Sequence, residues 1–115
     1  MRANVSGVIL VLFSLAALLV GQEFRASISG HIVDASGARI PQAKVEVTSL
    51  ATKETAHATT DSSGSYTIPL LRPGQYTLTV TAAGFKHYVR DDVTLEAAKL
   101  VGIDVTLEVG AVTET

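Results

Sequence analysis

The sequence predicts an all-β protein, a seven-stranded antiparallel β-sandwich preceded by a helical signal peptide. Three observations support this: an apolar segment at the N-terminus, an alternation of apolar and polar residues along most of the remaining chain, and turn residues between the alternating stretches. Alternation is typical of half-buried strands, because a strand turns successive side chains to opposite faces. Short strands with turns at intervals of roughly 8–12 residues favour a sandwich of two antiparallel sheets.

Residues 1–21 are predicted to be a secretory signal peptide. Met1-Arg2 gives a short positive start, Val8 to Val20 is almost entirely apolar, and Gly21 is the best residue to precede a cleavage site. The competing interpretations are a buried core helix and a retained membrane anchor. A helix over the apolar run would rise only about 20 Å, short of the roughly 30 Å of a bilayer core. The segment therefore predicts export to the periplasm or outer membrane, or secretion if the domain is free-standing.

The rest of the chain has the size of one compact domain. We expect a short lead at 22–26, the domain at 27–109, and a tail at 110–115 that leads into sequence absent from this chain. There is no Cys, so apolar packing and backbone pairing must stabilise the fold without disulfides. Over the full sequence, acidic residues slightly outnumber basic ones, 11 to 9, and no basic run occurs, which argues against a nucleic-acid partner.

Alternation is clearest from Gln75 to Ala82, where Tyr76, Leu78 and Val80 are separated by threonines. Similar stretches elsewhere predict seven strands, of which the third and sixth have the weakest pattern. The approximate strand bounds are 26–34, 43–50, 54–60, 65–71, 75–83, 86–93 and 99–109.

The same pattern predicts which side chains face the core. Every second residue from Tyr66 to Leu70, and from Val101 to Val109, belongs to an inward set. Tyr66 and Tyr76 are both inward, and each hydroxyl then requires a hydrogen-bond partner. Asp91-Asp92 interrupts the sixth strand, where we expect a bulge or a loop.

Turn residues occupy the gaps between strands. Asp34-Ala-Ser-Gly37 and Asp61-Ser-Ser-Gly64 repeat one arrangement, in which the Asp side chain accepts bonds from later backbone N–H groups and Gly supplies a positive φ. We expect each of them to close a hairpin. Pro73-Gly74 has the order of a type II turn and is expected to join the fourth strand to the fifth.

These features occur in an order that resembles a known family. Asp34-x-x-Gly37 is followed by Ile40-Pro41-x-Ala43-x-Val45-x-Val47, Thr60-Asp61-x-x-Gly64-x-Tyr66-x-Ile68, Leu71-x-Pro73-Gly74-x-Tyr76-x-Leu78-x-Val80 and Ala83-Gly84-Phe85. Together they resemble the carboxypeptidase regulatory-like domain, a seven-stranded sandwich of the transthyretin-like type. The resemblance runs from about Ser27 to Val109. Each motif alone is weak, whereas the ordered set is specific.

The resemblance implies a module without chemistry of its own. Such domains occur beside metallocarboxypeptidase catalytic domains and at the N-termini of TonB-dependent outer-membrane receptors. The receptor is favoured because the domain directly follows the signal peptide, and because Leu107 to Thr115 resembles the join to a receptor's energy-coupling segment, plug and barrel. We therefore expect the N-terminal accessory domain of such a receptor, with protein as its partner and membrane contact only through the signal peptide or the missing barrel.

No residue pattern predicts an enzyme, a metal or a cofactor. His31, His57 and His87 lie in three different predicted strands, and none has a Glu at metal-ligand spacing. The chain has no Cys and no Gly-x-Ser-x-Gly nucleophile motif. Asp61 and Asp91-Asp92 lack the spacing of a calcium loop.

The alternative is a free-standing secreted module that binds carbohydrate or protein, since related sandwiches include starch-binding domains. Sugar-binding modules stack sugars on exposed aromatic rings, usually including Trp, and this chain has no Trp. Phe85 and Tyr88 are the remaining candidates. If they lie exposed together, they are the predicted contact patch.

Overall fold

The computed structural model describes residues 24–110 of the chain. The predicted signal peptide at 1–21 lies outside this range, as does the tail beyond Gly110. Within the described range no helix is long and apolar enough to cross a membrane. The strands are β1 (Ala26–Asp34), β2 (Lys44–Ser49), β3 (Thr55–Thr59), β4 (Ser65–Leu71), β5 (Gly74–Thr81), β6 (Tyr88–Leu95), β7 (Leu100–Gly102) and β8 (Val105–Leu107).

The strands form two sheets whose inner faces share one core, which confirms the predicted β-sandwich. One sheet has the order β4-β1-β7, with β8 also paired to β1, and the other has the order β3-β2-β5-β6. Alternate side chains of both sheets point inward and bury apolar surface between them. The largest fully buried side chains are Ile28, Ile32, Ile68, Leu78, Leu95, Leu107, Val45, Val47 and Val80.

The last predicted strand, 99–109, is divided into β7 and β8. Both pair with β1 in the parallel direction, so the antiparallel arrangement predicted for the whole sandwich does not hold at this edge. The break falls at Ile103, whose backbone passes over Gly30 of β1. Alternation does not reveal the break, because Ile103, Val105 and Leu107 are all buried on the same side.

The prediction that Leu70 faces the core is wrong. Its φ is +61°, in the left-handed region, and the register of β4 against β1 shifts between Ala26 and Ile28. An extra residue in one strand moves the side chains that follow it to the opposite face. Leu71 therefore takes the core position, while Leu70 is 73% exposed.

A second irregularity lies in β6. Tyr76 and Leu78 of β5 pair with Val93 and Arg90 of β6, so that two steps along β5 match three along β6. The extra residue falls at Asp91-Asp92, which confirms the bulge predicted there. The bulge keeps the side chains of Val93 and Leu95 buried at the end of the strand.

Both Asp-x-Ser-Gly turns carry the chain from one sheet to the other. The first lies between β1 and β2 and the second between β3 and β4, and neither pair of strands shares a sheet. The prediction that each turn closes a hairpin between the strands on either side is therefore wrong, although the first turn does close a short antiparallel bridge between Val33 and Arg39. Pro73-Gly74 also joins strands of different sheets, and the φ of Gly74 is +149°, well above the roughly +80° of a type II turn.

The described chain begins and ends at opposite ends of the sandwich. Phe24 lies just before β1, and we call this the Phe24 end. At the other end of β1, Asp34 pairs with Leu107 of β8, and the Gly110 N–H donates a hydrogen bond to the Gly84 C=O at 3.2 Å. This Gly110 end is separated from the Phe24 end by the length of β1, about 27 Å.

Candidate functional site

Asp34 and Asp61 organise their turns through the same set of hydrogen bonds. Asp34 Oδ1 accepts bonds from the Ser36 N–H (2.9 Å), the Ser36 hydroxyl (2.6 Å) and the Ala38 N–H (3.0 Å). Asp61 Oδ1 accepts the equivalent bonds, at 2.9, 2.9 and 3.0 Å, from the residues two and four positions further on. Both carboxylates are therefore engaged within their own turns.

These bonds stabilise the charged form of each carboxyl group. The Ser36 hydroxyl and then the Ala38 N–H lower the pKa of Asp34 below its ordinary value of 3.8. The Ser65 N–H contributes most to lowering the pKa of Asp61. Both groups lie at the surface, and their role in this geometry is to hold a turn.

A contact that sequence reasoning missed fastens the last two strands onto β1. The carbonyl group of Ile103 occupies the space that a side chain on Gly30 would fill, and its oxygen accepts the Tyr66 hydroxyl at 2.7 Å. Asp104 Oδ1 accepts the His31 N–H at 2.8 Å, in place of a backbone carbonyl. Burial, and secondly the charge of Asp104, raise the pKa of Tyr66 to about 12, so its hydroxyl stays a donor.

The three histidines lie apart on the surface. His31 is in β1, His57 is in β3, and His87 precedes β6. In the described part of the chain, only His31 has a carboxylate oxygen within 4 Å, with Nδ1 3.6 Å from Asp104 Oδ1. No group of three or more His, Cys, Asp or Glu residues within 24–110 is placed to hold a metal ion.

Phe85 and Tyr88 lie at the Gly110 end, where the chain passes from β5 into β6. Both are partly buried and pack against the core. Phe85 forms a β-bridge with Val109, while Tyr88 lines a shallow cleft of about 350 Å³ together with His87 and Thr106. The two rings do not form an open aromatic platform, and their role as a contact patch stays a prediction.

A second cleft, of about 190 Å³, opens at the Phe24 end. It lies between the turns that follow β2 and β4, and its lining includes Arg25, Leu70 and Tyr76. Arg25 Nη1 donates to the Leu70 carbonyl at 3.4 Å, and the Tyr76 hydroxyl donates to the Arg72 carbonyl at 2.7 Å. Burial raises the pKa of Tyr76. The exposed Leu70 side chain gives this cleft an apolar wall.

Comparison with known proteins identifies relatives of this sandwich. Residues 27–108 match the family model of the carboxypeptidase regulatory-like domain, which confirms the resemblance drawn from the ordered motifs. The chain is also 36% identical over 83 residues to the TonB-dependent transporter Oar of Myxococcus xanthus. That alignment covers 70% of this chain and 8% of the transporter, so the chain spans a small fraction of its relative's length.

Solved structures share the fold at low sequence identity. A candidate carbohydrate-binding protein from Bacteroides uniformis superposes with a TM-score of 0.60 and 17% identity, covering 71% of this chain and 40% of the other. Catechol 1,2-dioxygenase from an Acinetobacter species superposes with a TM-score of 0.60 and 14% identity, covering 77% and 54%. At such identities the likeness concerns the fold alone, since one sandwich hosts unrelated functions.

Proposed function

We propose that this chain, which belongs to the carboxypeptidase regulatory-like domain family, is a non-catalytic accessory module at the N-terminus of a TonB-dependent outer-membrane receptor. The observation that supports the proposal most is the 36% identity to a TonB-dependent transporter over 83 residues. After export the module would lie in the periplasm. Its partner would be the remainder of the receptor or another envelope protein.

The geometry of the sandwich suits a folded spacer between a partner bound at the Phe24 end and the rest of the receptor, which would continue from the Gly110 end. The described residues begin and end at opposite ends, and β1 runs parallel to β8, with Ile32 beside Val105 and Asp34 beside Leu107. A pull between the two ends would load the hydrogen bonds of these strands together, because the strands would have to slide past each other. Such a spacer would resist unfolding under tension.

Cell fractionation of the source organism, with an antibody against this domain, tests the receptor proposal. We expect a band in the outer-membrane fraction at a mass far above the 12.0 kDa of this chain. A strain lacking the coding sequence for residues 24–110 is the control, and the band should disappear there. A band of about the chain's own mass, in the periplasm or the medium, would contradict the proposal.

A second candidate function is a free-standing secreted module that binds carbohydrate, which the shared fold with the Bacteroides uniformis protein favours. The partial burial of Phe85 and Tyr88 and the lack of Trp count against it. A glycan array probed with the purified chain tests it. Binding that is lost in Tyr88→Ala and kept in the control Thr67→Ala would support this function, whereas no binding by the unsubstituted chain would remove it.

A further inference from the structure

Within residues 24–110 the two sheets have four edges, and three of them carry features that hinder pairing with another strand. In β4, Pro69 lacks an N–H and is followed by the left-handed Leu70. In β6, the charged residues 90–92 lie at the bulge. The edge made by β7 and β8 is interrupted at Ile103. Prolines, charges, bulges and short strands are the means by which proteins keep sheet edges from associating.

The fourth edge, β3, is a five-residue strand without a proline, a charge, a bulge or an interruption. Its register against β2 is regular over all of Thr55–Thr59, and it contains no Pro, Gly, Lys, Arg, Asp or Glu. Alternate residues along it are exposed and half-buried, as in a strand with one face towards solvent. Among the described strands, β3 pairs with β2 alone.

Hydrogen bonds at the two ends of β3 determine which of its backbone groups point away from β2. The Glu54 C=O accepts the Ser49 N–H at 2.9 Å, and the Thr60 N–H donates to the Ala43 C=O at 2.9 Å. Bonded and non-bonded residues alternate in an antiparallel pair, so the even-numbered residues of β3 bond to β2. The N–H and C=O groups of residues 55, 57 and 59 therefore point outward.

The sequence of β3 reads the same in both directions: Thr55-Ala56-His57-Ala58-Thr59. If two copies pair antiparallel about a two-fold axis at His57, each His57 faces the same residue of the second copy. Thr55 then faces Thr59, and Ala56 faces Ala58. A two-fold interface requires one surface to be complementary to itself, which an antiparallel strand pair satisfies through its backbone hydrogen bonds, and the palindrome makes the facing side chains identical.

We propose that β3 is a self-pairing edge through which two copies of this chain associate, antiparallel and centred on His57. Residues 55, 57 and 59 point their N–H and C=O groups outward, and these residues would face each other across the axis. Each facing pair would therefore form two backbone N–H···O=C hydrogen bonds. Threonine pairs would lie on either side of the histidine pair, and facing threonines favour strand pairing. This association would join two four-stranded sheets into one, and it does not rest on the receptor proposal.

The charges next to β3 are compatible with this register. Lys44 and Glu46 of β2 lie beside Thr59 and His57 and form an ion pair with each other at 3.4 Å. In the paired arrangement each His57 would have a Glu46 on one side and the second copy's His57 on the other. Facing residues of like charge would oppose pairing. In this register no Lys faces a Lys and no acidic residue faces another.

Cysteine cross-linking of the full chain tests the register, since the chain has no other Cys. Facing residues of a hydrogen-bonded pair have Cα atoms about 5.5 Å apart, but their side chains are farther apart than those of a non-hydrogen-bonded pair, so a short bifunctional thiol cross-linker suits them better than a direct disulfide. His57→Cys should therefore form a covalent dimer with such a cross-linker. Position 55 faces position 59 of the second copy, so in Thr55→Cys the new cysteines of the two copies would lie about 14 Å apart. This variant should therefore remain monomeric.

Thr55→Cys is a matched control because it lies on the same strand and is also exposed. The double variant Thr55→Cys/Thr59→Cys should recover the dimer, since each new thiol faces one in the second copy. We expect dimer yields at least about tenfold higher for His57→Cys and the double variant than for Thr55→Cys. Equal yields, or no dimer in any variant, would overturn the proposal and leave the edge to a different partner.

Sedimentation equilibrium of the unsubstituted chain provides a second measurement that no cysteine affects. We expect a monomer–dimer equilibrium that His57→Lys shifts to monomer, raising the dimer dissociation constant about fivefold or more, because two ammonium groups would face each other. Within each copy the new Lys would lie beside Glu46 of β2, so β3 itself should stay paired. His57→Thr, the neutral control, should keep the dimer. A chain that is monomeric at every concentration, or a dimer that His57→Lys leaves unchanged, would contradict self-pairing through β3.

Discussion

The turns Asp34–Ala38 and Asp61–Ser65 have the same local structure in different surroundings. Their carboxylates accept matching bonds, and their glycines have φ values of +86° and +72°. A Cβ on Gly37 would have no atom within 4 Å, whereas a Cβ on Gly64 would lie 2.8 Å from the Ile32 carbonyl oxygen. The motif makes the turn in both places, but only the second turn is packed into the sandwich.

The largest difference in stability between the two turns is expected when each glycine is replaced by alanine in a separate variant. Gly37→Ala should lower the free energy of unfolding by about 1 kcal/mol, the cost of a left-handed alanine. Gly64→Ala adds an overlap with backbone and should cost about 3 kcal/mol in total. Urea denaturation measures both, and we expect unchanged m-values. Equal losses would mean that the backbone around Gly64 moves aside, and that the two turns differ less than their surroundings indicate.

Removal of the two carboxylates should give a smaller difference in the same direction. Asp61→Ala should lower the melting temperature more than Asp34→Ala, because the turn at Asp61 also positions the Gly64 carbonyl, which accepts the Ile32 N–H at 2.8 Å. We expect a difference of about 5 °C in thermal unfolding followed by circular dichroism. A larger fall for Asp34→Ala would show that the first turn contributes more to folding than its open position suggests.

The two turns should contribute alike to the acid sensitivity of the fold. The folded pKa of each Asp lies below its ordinary value of 3.8, so each contributes stability that is present above that value and is lost as the pH falls through the folded pKa. Asp34→Asn and Asp61→Asn keep an accepting oxygen without the charge. Each should reduce the loss of stability between about pH 5 and pH 2, measured by urea denaturation across that range. A decline as steep as in the unsubstituted chain would rule this contribution out.

The turns could be predicted from the sequence because their hydrogen bonds lie within five consecutive residues. The two turns therefore have the same sequence motif, and the carboxylates of Asp34 and Asp61 accept equivalent hydrogen bonds. The different packing around the turns could not be predicted, because Gly64 packs against Ile32 and Arg39, residues distant along the chain. The error over hairpins has the same origin: a turn motif does not reveal whether the strands on either side share a sheet.

Strands could be predicted wherever apolar and polar residues alternate without interruption, as in β2 and β5. The left-handed conformation of Leu70 and the break at Ile103 could not, because the first accompanies a register shift against β1 and the second a close approach to β1. Gly30 was the available sequence signal for the break at Ile103, because a glycine at an inward position of a regular strand indicates close approach by another backbone. The identity of that backbone, and its parallel direction, depend on the folded arrangement of Ile103 over β1.

The smallest expected difference between the turns lies in their serines. The Ser36 hydroxyl is 2.6 Å from Asp34 Oδ1 and is the main cause of the lowered pKa of that group. The Ser63 hydroxyl is 2.9 Å from Asp61 Oδ1, where the Ser65 N–H has the larger effect.

Ser36→Ala should therefore raise the pKa of Asp34 further towards 3.8 than Ser63→Ala raises that of Asp61, with little change in melting temperature for either variant. Carboxyl chemical shifts followed by NMR through an acid titration measure both values. The comparison is internal, because each variant leaves the other turn intact as its control. If the two pKa values rise equally, the longer bond at Asp61 is as strong as the shorter one at Asp34, and the turns differ only in how Gly37 and Gly64 are packed.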